Sequence, residues 1–329
     1  MSRWSFVFVV ALTACGGSPK ATTPPSPLPG ESKPEPVVEA KPAETPAAPA
    51  EPPKPAGPLD VSIAATTTTV KLVSAGKGKR TAVHYTPKAG DKQQLEIALD
   101  FTEKHVAPAE LGGSDENKLP TIVLAAEAET RTVDKDGAEL ALTVTGTDVK
   151  ETTGAKVPVD KLKVALGGLT GMTIAGKVAA NGTAGEIKLH LDKPDEAGPQ
   201  LLDMVRYTLP PFPVLPAEPI GVGAKWQATT TAKVMDQVAV TQVTDYELVA
   251  HKGTTWTIKG TTKVSGAEQE MKGSKITGIA GAGTSEATLT DGTLYPTYKS
   301  SLETSFTATE GDKSIQFAFT VGGAITPKK

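Results

Sequence analysis

The sequence predicts an all-β fold, mainly antiparallel meander, arranged as one curved sheet or two β subdomains, with one short central helix near 199–208 and an unfolded N-terminal lead. Three observations predict it. Apolar residues recur at every second position over most of the chain beyond residue 59, Asx-Gly pairs separate the alternating runs, and prolines crowd the stretch before residue 59.

Arg3 gives a positive start, and Trp4 to Leu12 form an apolar run of about nine residues, the length of a signal-peptide core. A spanning helix needs roughly 20 apolar residues, because each adds only about 1.5 Å across some 30 Å of hydrocarbon. This run is too short to span. Leu12-Thr13-Ala14-Cys15 follows, a large aliphatic residue and two small ones before the chain's only cysteine. The stretch resembles the lipobox of bacterial lipoproteins. That resemblance implies cleavage between Ala14 and Cys15, a diacylglycerol unit on the Cys15 thiol and an acylated new amino group. The alternative is an ordinary secretory signal cut near Ala14. Two or three acyl chains anchor stably where one is marginal, so the resemblance implies a permanent membrane resident without a transmembrane helix. Gly16-Gly17 lack the aspartate that retains such proteins in the inner membrane of enteric bacteria, which implies the outer membrane, facing the periplasm or the surface. With Cys15 consumed, the folded part has no disulfide, no thiolate nucleophile and no sulfur ligand for a metal.

Residues 15–58 read as a tether. About half of the 27 prolines lie there among Ala, Glu, Lys and Thr, and only Leu28, Val37 and Val38 are strongly apolar. Such a segment buries too little surface to offset its ordering entropy. Polyproline II geometry, at about 3.1 Å per residue, would let it reach on the order of 100 Å.

The globular region is expected over 59–329, with a possible subdivision near 199–220. Leu95, Ile97, Leu99 and Phe101 alternate, as do Leu140, Leu142 and Val144; Leu162, Val164 and Leu166; and Ile187, Leu189 and Leu191. Trp256, Ile258, Thr262 and Val264 share one parity, as do Tyr298, Leu302, Thr304 and Phe306, and then Ile315, Phe317, Phe319 and Val321. One buried face and one wet face argue for antiparallel pairing, with threonine on the wet parity. Asp136-Gly137, Asn181-Gly182 and Asp291-Gly292 suit tight turns that need positive φ. Leu201, Leu202, Val205 and Leu209 instead have helical spacing, stopped by Pro210-Pro211.

After that helix comes LPPFPVLPAEPIGVGAKWQATTT. It resembles a segment of bacterial exported lipoproteins of unknown function, which carry a proline, an aliphatic residue, Val-Gly and a tryptophan at the middle of an all-β domain. Ala224 stands where that family has an acidic residue, and the family supplies no activity. Read from its residues, the phrase is structural: Gly and Pro aim a strand, and Trp226 buries a large area at its start.

Motifs of catalysis are missing from the text. His84, His105, His190 and His251 have no metal-binding spacing. Gly278 to Gly283 lacks the Gly-Lys-Ser/Thr ending of a phosphate loop and reads as a kinked or close-packed strand. Asp134-Lys135-Asp136-Gly137 starts like a calcium loop, but Leu140 and Leu142 resume alternation at once. Lys77-Gly78-Lys79-Arg80 reads as a solvated turn. With 34 basic against 37 acidic residues, spread out, there is no footprint for nucleic acid. No cofactor and no metal is expected. The reading is a non-enzymatic binding or scaffold lipoprotein with an envelope protein or lipid as partner. The alternatives are a carrier of an apolar ligand, its helix a lid over a cavity, and a hydrolase with a dispersed site.

Overall fold

A computed structural model describes residues 57–195, 197–209, 212–234 and 238–328. Leu12, Thr13, Ala14, Cys15 and nearly all of the tether lie outside these residues. The described chain belongs to one compact unit running from Ala56 onward, and a single sheet passes straight through the expected subdivision at 199–220.

The first half contributes β1 (Leu59–Ile63), β2 (Thr67–Ser74), β3 (Lys77–Thr81), β4 (Lys92–Val106), β5 (Asp115–Lys118), β6 (Thr121–Asp134), β7 (Gly137–Lys150), α1 (Val159–Leu166), β8 (Thr173–Val178), β9 (Ala184–Leu191) and α2 (Gly198–Thr208). The second half contributes β10 (Ile220–Val222), β11 (Lys225–Val234), β12 (Val238–Lys252), β13 (Thr255–Ser265), β14 (Gln269–Met271), β15 (Ser274–Thr290), β16 (Thr297–Glu310) and β17 (Lys313–Pro327). All pairings are antiparallel, in the order β1-β9-β8-β7-β6-β4-β17-β16-β15-β13-β12-β11-β2, with β5 beside β4 and β14 beside β15. C-terminal β17 therefore joins the two halves by pairing with β4.

β1 and β2 occupy opposite edges of this path, yet only Ala64-Ala65-Thr66 separate them. Extended chain covers at most about 3.5 Å per residue, so this link holds the two edges within about 14 Å. The sheet must curl into an incomplete barrel. Its inward parity forms a single core to which both edges contribute: Leu59, Val61 and Ile63 from β1 pack against the same cluster as Val70 and Leu72 from β2. Outward positions carry cross-strand ion pairs, among them Lys92–Glu127 at 3.1 Å, Lys150–Glu96 at 3.1 Å and Lys259–Glu286 at 3.6 Å.

The curvature has local causes. Gly260 lies opposite Tyr246, and a Cβ on it would come within 3.0 Å of the tyrosine ring. At the Gly278–Gly283 run, the register of β15 against β16 shifts between Thr277 and Ala280, and Gly278 has φ 62. The run is a kinked, close-packed strand, as its composition suggested.

α2 forms where the helical spacing lies, with Pro199 in its first turn and Leu201, Leu202, Val205 and Thr208 on its buried face. The chain holds a second helix where alternation predicted a strand. Leu162 and Leu166 are buried in α1, but Val164 is 81% exposed. The controlling period is Leu162, Ala165, Leu166 and Leu169, one helical stripe, and the lysines, leucines and alanine between them are strong helix formers. Lys77 to Arg80 also differs from its expected turn: it is the exposed strand β3, paired with β10.

The phrase around Trp226 is structural. Trp226 is 1% exposed, and its indole N–H donates to the Val214 carbonyl at 2.7 Å. Tyr85 Oη donates to the Pro213 carbonyl at 3.0 Å, and Leu215 N–H donates to the Asn181 carbonyl at 2.8 Å. The segment from Phe212 to Leu215 is thereby tied into the interior. Ala224 is fully buried and donates its amide to Gly221; Gly76 presses so closely on both that it has no room for a side chain. Ala224 has no exposed surface, so a longer side chain at 224 would have to displace its neighbours.

Candidate functional site

A cavity of about 240 Å³ opens at the end of the barrel where the β6–β7 hairpin meets the segment 85–87. The hairpin projects Leu140 and Ala138 inward because its turn, Lys135-Asp136, sits between the paired residues Asp134 and Gly137. Val178 at the end of β8 pairs with Ala138 and continues the same wall. Tyr85, Phe212 and Leu294 close it from the other side. Phe212 meets Tyr85 edge to face at 5.3 Å and Tyr295 at 5.1 Å, so one aromatic cluster carries that side.

The polar groups near this cavity are mostly engaged. The Tyr85 hydroxyl is donated to Pro213, and burial pushes it well above the usual tyrosine range; burial does the same to Tyr295. Both stay neutral at any physiological pH. Asp134, at the rim, binds Lys177 Nζ at 2.8 Å and accepts the Asp136 amide, and these hydrogen bonds hold its carboxyl below the usual range. Such a site can enclose an apolar body of small-molecule size and offers it few polar contacts.

The helix does not cover this cavity. The carrier alternative assigned the lid to α2, but α2 packs on β1, β9, β4 and β17, and Phe212, just beyond it, lines the site. Nothing in the sequence marks Tyr85 or Phe212 as functional; their one signal is that Phe212 stands between two prolines and Tyr85 two residues before one, where a chain with 5% aromatic residues spends two of its rings on loops.

The four histidines are scattered. His84 is exposed; His105 lies on the inner face of β4 beside Phe317, at 6.5 Å between rings; His251 stacks on Trp256 at 3.5 Å. His190 on β9 is held by two carboxylates, Asp60 at 2.8 Å from Nδ1 and Asp192 at 2.9 Å from Nε2, and these bonds raise its pKa. Among the described residues, no group of three or more His, Cys, Asp or Glu is placed to hold a metal ion, and no helix is long and apolar enough to cross a membrane. The chain matches no protein-family model, no curated protein and no solved structure.

Proposed function

We propose that this protein is a lipid-anchored lipoprotein of the cell envelope whose β domain is a non-catalytic binding module for a small apolar ligand. The observation that carries the ligand is the cavity of about 240 Å³ bounded by Tyr85, Phe212, Leu140 and Val178. The anchor is supported by Leu12-Thr13-Ala14-Cys15 after an apolar run too short to span, and the proline-rich segment behind it suits a tether to the membrane. A barrel inserted in lipid needs an apolar band on its outside. Here the outward face carries Lys–Glu pairs and the apolar parity faces in, which supports a domain held in water at the membrane rather than within it.

Two measurements test this. The Cys15→Ser chain should leave the membrane fraction; if it still sediments with membranes after detergent-free washing, the anchor is overturned. Native mass spectrometry of that soluble full chain, purified without detergent, should show an adduct of lipid-fragment or small-molecule mass. Ala138→Phe, which fills the cavity from its own wall, should remove the adduct. An adduct that persists in this variant, or no adduct in either protein, would turn the reading toward a protein-binding scaffold.

A further inference from the structure

The inward parity of β4 runs Leu95, Ile97, Leu99, Phe101, Glu103, His105, and its first three residues belong to the core. The alternation asks for an apolar side chain at 103. A carboxylate stands there, and Glu103 is only 7% exposed. In the register with β17 it lies opposite Phe319, while Phe317 lies opposite His105. Phe101 and Phe319 are 6.4 Å apart, Phe317 and Phe319 6.3 Å, and Phe306 on β16 continues the wall 5.5 Å from Phe317. Phe101 and Phe319 are partly exposed, so this wall is not sealed.

His105 is the next residue on the same face of β4, and it faces Phe317 rather than forming an ion pair with Glu103. The partner of Glu103 on β5 is neutral Asn117, and opposite His105 lies Asp115, whose carboxylate is taken by Lys156. Lys104 points to the other face and binds Glu116 at 3.6 Å. Among the described residues Glu103 has neither a hydrogen bond nor an ion pair; burial, and then Asp115, push its pKa up. The carboxylate oxygens are not sealed from solvent, so a ligand can reach them, and the aromatic rings around them attract positive charge through their faces. Both features reject an anion.

We propose that this wall binds an organic cation, an amine or quaternary ammonium carried on an apolar body, with Glu103 as counter-ion and Phe101, Phe317 and Phe319 around the cationic group. The site shares no residue with the cavity behind Tyr85 and stands independently of it.

The test is isothermal titration calorimetry on the full chain carrying Cys15→Ser, with dodecyltrimethylammonium below its micelle concentration as probe. Dodecyl maltoside and dodecyl sulfate, also below theirs, are the neutral and anionic controls. The cation should bind at least tenfold more tightly than either control. Glu103→Gln, nearly the same shape, should remove that preference, while Ala138→Phe should leave it intact. A wild-type chain that does not prefer the cation overturns the proposal whether or not any variant folds. So does a Glu103→Gln chain with undiminished preference. Loss of the preference in Ala138→Phe alone would assign the probe to the other cavity and equally overturn it.

Discussion

Trp226 donates its indole N–H to the carbonyl of Val214 across 2.7 Å. The bond joins the start of β11 to the segment that follows α2, and Tyr85 fixes the neighbouring Pro213 carbonyl. Two aromatic side chains thus satisfy consecutive carbonyls of a buried loop, where water could not easily do so. Trp226→Phe would leave the Val214 carbonyl without this donor and a space beside Tyr246, which stacks on the indole at 5.5 Å. The expected loss is about 2–4 kcal/mol in urea unfolding. Tyr85→Phe, which removes only a hydrogen bond, should cost about 1 kcal/mol. Equal costs for the two would mean that the tryptophan acts through its hydrogen bond alone.

The α1 helix makes a sharper comparison. A strand with Leu162, Val164 and Leu166 on one face would suffer alike from truncation at all three. In the helix, Leu162 and Leu166 are buried and Val164 faces solvent. Leu162→Ala should cost about 2–5 kcal/mol. Val164→Ala should be neutral or slightly stabilising, since alanine is the better helix former. A Val164→Ala penalty comparable to that of Leu162→Ala would restore the strand.

That contrast also marks how far the text can be read. Ile97, Ile187, Phe306 and Phe317 could be assigned to an inward face from period two alone, because every strand sees the same pleat. Eight residues from Val159 satisfy both periods, and only packing of Leu169 beside Leu166 decides between them. The aromatic wall around Glu103 depends on register between β4 and β17, which are separated by most of the chain; no local pattern places Phe319 opposite a carboxylate. The cavity behind Tyr85 is still less legible, since it is built from loop residues and hairpin ends whose meeting is set by the curvature of the whole sheet. Cys15 and its apolar run are the reverse case, a local pattern whose meaning lies in sequence alone.

His190 gives the fold a pH dependence at its first strand. Asp60 on β1 and Asp192 just beyond β9 both accept from the imidazole, so the bonds need both ring nitrogens protonated. The folded pKa is raised, first by Asp60 and then by Asp192. The contribution is therefore fully present below the unfolded value of about 6.5 and is lost as pH rises through the folded value. Amide exchange protection of Val61 and Ile63 should fall across that window in the wild type. In His190→Gln it should stay flat; a parallel fall in the variant would place the titration elsewhere.

Gly281 lies opposite Thr304, and a Cβ on it would come within 2.6 Å of the Glu303 carbonyl oxygen and 2.9 Å of the Thr304 methyl. Gly283 is placed the same way against Ser301, also at 2.6 Å. Such contacts involve backbone, which cannot swing aside as a flexible side chain does. Gly281→Ala must therefore separate β15 from β16 or flatten the sheet. Flattening would pull the β1 and β2 edges apart against the short link that joins them, so strain at one glycine reaches the barrel's seam. We expect Gly281→Ala and Gly283→Ala each to cost about 2–3 kcal/mol, within the range of overpacking. Gly278→Asn should be tolerated better, because nothing crowds that position and asparagine accepts its positive φ. Should Gly278→Asn prove the more damaging change, the bend would originate in the bulge rather than in the close approach of the two strands.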